Sequence, residues 1–210
     1  MVFNIVAAIV IGYLLGSIPF AYIITRLKKG IDIRQVGSGN VGALNVYREV
    51  GPIFGLSVLA GDLVKGVLAV LIAQWLGLSL IWICVAGFAA VVGHNWPCFL
   101  GFRGGRGAVT IMGVILPLVP IPFAIGFVIA VIVVIITSNI RLGIIGIAFI
   151  PLIAWLFDKE PTLIFYSLAL FLFLVVRTLA GLRGEMAKAG GKKSLIFDRD
   201  YHFWQTKKAK

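Results

Sequence analysis

The chain has 210 residues, 60% of them apolar and only 13% charged, with a mean hydropathy of +1.07. That composition excludes a soluble globular domain and indicates an all-α integral membrane protein. The net charge of +11 does not make it a nucleic-acid binder, because the Lys and Arg residues gather in short loops and at the tail, as cytoplasmic segments of membrane proteins do.

Apolar runs predict about seven transmembrane helices. The first, Val2 to about Thr25, is about one bilayer long at ~1.5 Å per residue. It is read as a retained helix rather than a cleaved leader, since it lacks a basic start and a clear cleavage site. Gly12 and Gly16 share one face and admit a close neighbour, and Pro19 predicts a kink near the basic end marked by Arg26, Lys28 and Lys29. The second span, Ile53 to Leu76, carries Asp62 and Lys65 three apart on one face. Hydrocarbon would not tolerate either charge alone, so both must face protein or water. Two readings stand: a mutually neutralising structural pair, or the border of a polar cavity.

Leu80 to Val92 begins the third span, which ends in Gly93-His94-Asn95-Trp96-Pro97. Ala108 to about Pro122 is a short fourth span closed by Pro117, Pro120 and Pro122. Phe123 to Thr137, Leu142 to Phe157 and Thr162 to Val176 complete the set, separated by turns at 138–141 and 158–161. Cys84 and Cys98 read as reduced, packed thiols; their spacing is not that of a metal site. No metal and no cofactor is implied. If the segment 28–50 is cytoplasmic, then 93–107, 138–141 and the tail share its side, which places every loop and tail cation inside except Lys159. The N-terminus is then outside and the C-terminus cytoplasmic. A seven-helix unit at 1–182 precedes a basic tail at 183–210, in which Tyr201, Phe203 and Trp204 would rest at the interface.

Two Gly/Arg-rich loops carry the chemistry. The first reads Gly37-Ser38-Gly39-Asn40-Val41-Gly42-Ala43-Leu44-Asn45-Val46-Tyr47-Arg48. Its glycines can turn N–H groups toward an anion, Ser38, Asn40 and Asn45 add neutral donors, and Arg48 adds a planar cationic fork. A connector that satisfies its own backbone would use similar residues. It is not a Walker loop or a dinucleotide fingerprint, since Gly-Lys-Ser/Thr and a preceding strand are both missing. The second loop, Phe102-Arg103-Gly104-Gly105-Arg106-Gly107, can wrap a second phosphate. Next to it stands His94, able to exchange a proton near neutral pH or to serve as an interfacial hydrogen-bonder.

These motifs resemble those of the bacterial acyl-phosphate:glycerol-3-phosphate acyltransferases, the PlsY type. The first loop, together with Asp62-Leu63-Val64-Lys65-Gly66, is similar to that family's first motif; Gly93-His94-Asn95, Pro97, Phe99-Leu100, the second loop and Thr110 are similar to its second. The likeness runs from the Gly16-Ser17-Ile18-Pro19 turn through the seventh span. It implies a multi-pass enzyme of the bacterial inner membrane, active in phospholipid biosynthesis. Such an enzyme moves a fatty acyl group from acyl phosphate to the sn-1 hydroxyl of glycerol 3-phosphate, releasing lysophosphatidic acid and phosphate. Implied catalytic residues are Ser38, Arg48 and His94. Implied substrate-binding residues are Gly37, Gly39, Asn40, Asn45, Lys65, Asn95, Arg103, Gly104, Gly105, Arg106 and Thr110. Arg48, Lys65 and Ser38 would hold one phosphate, Arg103, Arg106 and loop N–H groups the other, and Asn40 and Asn45 would orient the acyl donor. His94 would orient the hydroxyl or accept its proton, a role a substrate phosphate can also fill. The bilayer and an acyl-phosphate-producing enzyme are the implied partners.

Four departures accompany the likeness. Leu44 stands where the pattern has Thr, Arg103 and Arg106 replace lysines, and a glycine in the stretch Arg177-Thr178-Leu179-Ala180-Gly181-Leu182-Arg183-Gly184-Glu185 replaces the Asn of a third motif. They motivate an alternative, a catalytically silent paralogue that binds acyl phosphate or lysophosphatidic acid. An anion transporter would also suit the Asp62–Lys65 pair, but the lack of an internal repeat counts against it.

Overall fold

The computed structural model describes residues 1–137 and 139–188. The basic tail from 189 onward, with Tyr201, Phe203 and Trp204, lies outside the described residues, as do the side chains of residues 140, 141 and 182–188, Glu185 included. Helices run in the order α1 (Val2–Ser17), α2 (Phe20–Lys29), α3 (Ala43–Glu49), α4 (Pro52–Trp75), α5 (Leu80–Asn95), α6 (Ala108–Leu118), α7 (Pro120–Thr137), α8 (Ile144–Leu156) and α9 (Pro161–Lys188). Among the described residues, five stretches are long and apolar enough to cross a membrane: Val2–Lys29, Pro52–Trp75, Leu80–Leu100, Pro120–Thr137 and Pro161–Gly181. The two shorter apolar helices, α6 and α8, have 11 and 13 residues. At ~1.5 Å per residue they reach roughly 17 and 20 Å, short of the ~30 Å hydrocarbon layer.

Three local differences from the sequence reading have clear causes. The first apolar run is broken rather than kinked: Ile18 is extended (φ −63°, ψ 114°) ahead of Pro19, whose ring disfavours helix at the residue before it. The following piece, α2, places Arg26, Lys28 and Lys29 in its last turn, against the negative end of its own dipole, and Gly30 closes it at φ 66°. Second, the first loop is not loop throughout. After Gly42 no Gly or Pro intervenes before Gly51, and Ala43–Glu49 winds into α3, which carries Asn45 and Arg48. Third, Pro120 opens α7 instead of closing the helix before it, since a first-turn proline loses no helical hydrogen bond.

Glycine contacts set the packing. A Cβ at Gly12 would come 2.5 Å from the Ala86 carbonyl oxygen, and one at Gly16 would overlap Ala90. The small-residue face predicted on α1 is therefore the seat of α5, which runs parallel to it. α4 and α6 cross as closely, with Gly66 against Thr110 and Gly113 against Leu63. One apolar core, including Val70, Ile111, Val114, Ile150 and Leu174, joins these helices to α8 and α9. A smaller core of Ala21, Ile33, Val41, Val46, Val58 and Leu100 packs α2, the first loop and α3 onto α4. It presses the polar loop against the ends of the spans.

Candidate active site

A buried charged pair lies on α4. Asp62 and Lys65 are each 3% exposed, and Lys65 Nζ lies 2.7 Å from Asp62 Oδ1. The same ammonium donates to the Ile18 carbonyl at 3.2 Å, a group the α1–α2 break leaves outside either helix. His94, in the last turn of α5 and 8% exposed, places Nδ1 3.5 Å from the same carboxylate oxygen. Both readings of the Asp62–Lys65 pair thus meet: the charges neutralise each other, and they border a cavity of about 10 Å³ together with Ser17, Pro19, Val41, His94 and Gly104. That volume holds one water at most. Ser38, Arg48, Arg103 and Arg106 lie outside its lining.

The second loop folds back on α5. Gly104 N donates to the Asn95 carbonyl at 3.2 Å and Gly105 N to the His94 carbonyl at 3.1 Å. Side chains would forbid this approach. A Cβ at Gly104 would overlap the His94 carbonyl, and one at Gly105 would overlap His94 Nε2 and come 2.6 Å from the Val41 carbonyl oxygen. The paired glycines therefore bring both loops together beside the imidazole, with the Gly105 backbone packed against Nε2. With Nδ1 facing a carboxylate, Nε2 is the nitrogen whose lone pair faces the loops.

The predicted site residues divide by what they touch. Asn45 is 3% exposed and uses its whole amide on the loop: Oδ1 accepts from Ser38 N at 3.1 Å, and Nδ2 faces the carbonyls of Ile33, Val36 and Asn40 at 3.3, 3.1 and 3.1 Å. It shapes the cradle. Ser38 Oγ in turn accepts from Asn40 N at 3.4 Å. Gly37 and Gly39 take φ of 56° and 69°, which only glycine adopts cheaply. Asn95, 1% exposed, donates to the Val91 carbonyl at 2.9 Å and accepts from Arg177. Thr110 is fully buried where α6 meets Gly66 on α4. Arg103 is exposed on the loop, and Arg106 is half-buried with its guanidinium against Gly181 of α9.

Two further residues enter that sequence reasoning did not single out. Arg177, in the α9 span, donates from Nε to Asn95 Oδ1 at 2.7 Å and from Nη2 to the Gly105 carbonyl at 3.4 Å, and stacks 4.5 Å from the Trp96 ring. A cation in the last apolar turns of a span was its only signal. Asp32 caps the turn Ile33–Gln35 through Arg34 N at 3.0 Å and pairs with the Arg34 guanidinium at 2.6 Å, while Arg34 Nη1 reaches the Leu100 carbonyl at 3.5 Å. Arg34 holds the Asp32 carboxyl below the usual carboxylate range. The lowered value stabilises the fold above the unfolded pKa of about 3.9, and that contribution is lost as pH falls through the lowered folded value. Asp32→Asn is therefore expected to lower the unfolding midpoint in detergent near neutral pH. Its gap from the parent should close in acid. A gap independent of pH down to about 2 would assign the effect to capping alone.

Comparison with known proteins fits this geometry. The sequence profile of the family described as "Glycerol-3-phosphate acyltransferase" matches residues 6–186. "Glycerol-3-phosphate acyltransferase 4" of Dehalococcoides mccartyi (strain CBDB1) is 38% identical over 194 residues, covering 90% of this chain and 84% of that protein. "Glycerol-3-phosphate acyltransferase 2" of Moorella thermoacetica is 45% identical over 164 residues, 77% of this chain and 84% of that one. Among solved structures, the glycerol 3-phosphate form of PlsY (YgiH), an integral membrane glycerol 3-phosphate acyltransferase, matches with a TM-score of 0.79 and 29% identity over 91% of this chain and 97% of that chain. Its lysophosphatidic acid form matches at 0.78 and 28%, over 90% and 93%. From its profile, its relatives and its fold, the chain belongs to the glycerol-3-phosphate acyltransferase family.

Proposed function

We propose that this chain acylates the sn-1 hydroxyl of glycerol 3-phosphate with acyl phosphate as donor. The observation that carries the reading is the meeting of both glycine loops at His94 Nε2, above a buried carboxylate and ammonium. The hydroxyl oxygen attacks the acyl carbonyl carbon, the bond from that carbon to the phosphate oxygen breaks, and the hydroxyl proton passes to His94 or to the departing phosphate. An acyl phosphate is already an activated donor, so the protein's task is positioning and charge stabilisation. Ser38, Arg48 and Lys65 bind one phosphate, and Arg103, Arg106 and loop N–H groups other than those of Gly104 and Gly105, which donate to the Asn95 and His94 carbonyls, bind the other. The fold of Gly37 and Gly39, Asn40 orienting the donor, Asn45 and Asn95 holding the surrounding backbone, and Thr110 buried at the α4–α6 contact complete the set.

In this reading seven apolar segments cross the inner membrane, α6 and α8 doing so only together with the residues that flank them because neither helix is long enough alone, with the N-terminus outside and both loops and the basic tail on the cytoplasmic side. The cation distribution supports this orientation. The acyl chain enters from the bilayer, and an enzyme that makes acyl phosphate supplies the donor. The test is formation of labelled lysophosphatidic acid from glycerol 3-phosphate and palmitoyl phosphate by the purified protein in detergent. Product is expected, and Arg48→Ala should lower kcat/KM by about 10- to 100-fold, the loss of one charge-assisted phosphate contact. Folded protein that binds acyl phosphate without turning it over would be the silent paralogue instead.

A further inference from the structure

We infer that Gly181 on α9 is the seat of the Arg106 guanidinium, so that the absence of a side chain on the last helix fixes where the phosphate-binding cation of the second loop stands. This rests on the reading of Arg106 as a phosphate ligand. A Cβ built on Gly181 would lie 2.6 Å from Arg106 Nε, 2.9 Å from Nη2 and 3.0 Å from Cζ. These are the closest approaches at Gly181, and all three are to the mobile end of one side chain rather than to backbone. A residue introduced there therefore leaves the helix in place and moves the guanidinium.

The same stretch of α9 already grips the loop one turn earlier. Arg177, four residues before Gly181 and so on the same face, donates to Asn95 and to the Gly105 carbonyl. Gly105 is the residue next to Arg106, and its neighbour Gly104 is hydrogen-bonded to the end of α5. The loop backbone is thus held from both sides, by α5 and by α9. Arg106 cannot follow a displaced guanidinium by shifting its backbone. Its reach toward a phosphate depends on the room at Gly181, which makes Gly181 a positioning residue.

A four-member comparison tests this: the parent, Gly181→Asn, Arg106→Lys, and the double variant, each assayed for kcat and for KM toward glycerol 3-phosphate and palmitoyl phosphate. Gly181→Asn is expected to raise KM for one of the two phosphorylated substrates by about tenfold, the worth of one misplaced charge-assisted contact, with a smaller change in kcat. Lysine lacks the planar fork and its slimmer end clears an added side chain. In the Arg106→Lys background Gly181→Asn should therefore change KM by less than about threefold. Equal losses in both backgrounds would overturn the proposal and make Gly181 a helix-packing residue, as would parent-like kinetics in Gly181→Asn. Unfolding midpoints of all four in detergent identify any variant that fails to fold; if Gly181→Asn does, Gly181→Ala replaces it with the same expectations. An inactive parent would instead sink the acyltransferase reading itself, a result separable from either outcome at Gly181.

Discussion

Replacing His94 by glutamine is expected to lower kcat by about 10²–10⁴-fold while KM for glycerol 3-phosphate changes little. Glutamine retains hydrogen-bonding capacity and much of the volume at a site only 8% exposed, so packing loss is small and basicity is what disappears. The ring's orientation comes from Asp62, 3.5 Å from Nδ1, and the paired glycines let the second loop pack directly against Nε2. If the proton instead leaves directly to phosphate, His94→Gln would retain activity within about threefold of the parent. A loss confined to KM would assign the ring to binding. The kinetics of one variant thus separate the two proton acceptors that the sequence leaves open.

What the sequence conveyed well was periodic or chemically conspicuous. The Gly12–Gly16 face was readable because two small residues four apart can only matter for close packing, and α5 sits there. Asp62 and Lys65 were readable because hydrocarbon tolerates neither charge alone. What escaped was tertiary. Asn45 has a donor-rich side chain, but only the folded loop reveals that its amide is consumed by four backbone groups. The helix inside the first loop escaped because a seven-residue helix is too short to show a period and is stabilised by Val46 in the small core. Arg177 looked like the end of a span until α9 was packed against Asn95 and Gly105. Arg106 and the glycine-containing stretch at 177–185 read as separate departures from the family pattern, more than seventy residues apart in the numbering. In the folded chain Arg106 and Gly181 touch.

The second large effect concerns Lys65. Lys65→Met should destabilise the protein by about 3–5 kcal/mol, because it leaves the Asp62 carboxylate buried with only His94 beside it. Asp62→Leu combined with Lys65→Met should cost much less, since a well-packed apolar pair removes both desolvation penalties at once. Unfolding in mixed detergent micelles with increasing dodecyl sulfate measures both. A double variant as unstable as Lys65→Met would mean that the loss comes from the Lys65 bond to the Ile18 carbonyl, which pins the α1–α2 break, rather than from a stranded charge. Stability and activity should then part company. Even with its fold restored, the double variant has no carboxylate to hold His94 and no ammonium at the cavity, so turnover should stay at least about 100-fold below the parent. Parent-like turnover in the stable double variant would reduce Asp62 and Lys65 to a neutral structural pair. Stable but inactive protein would make the same two residues the floor of the active site, with the buried charge retained for chemistry at the expense of stability.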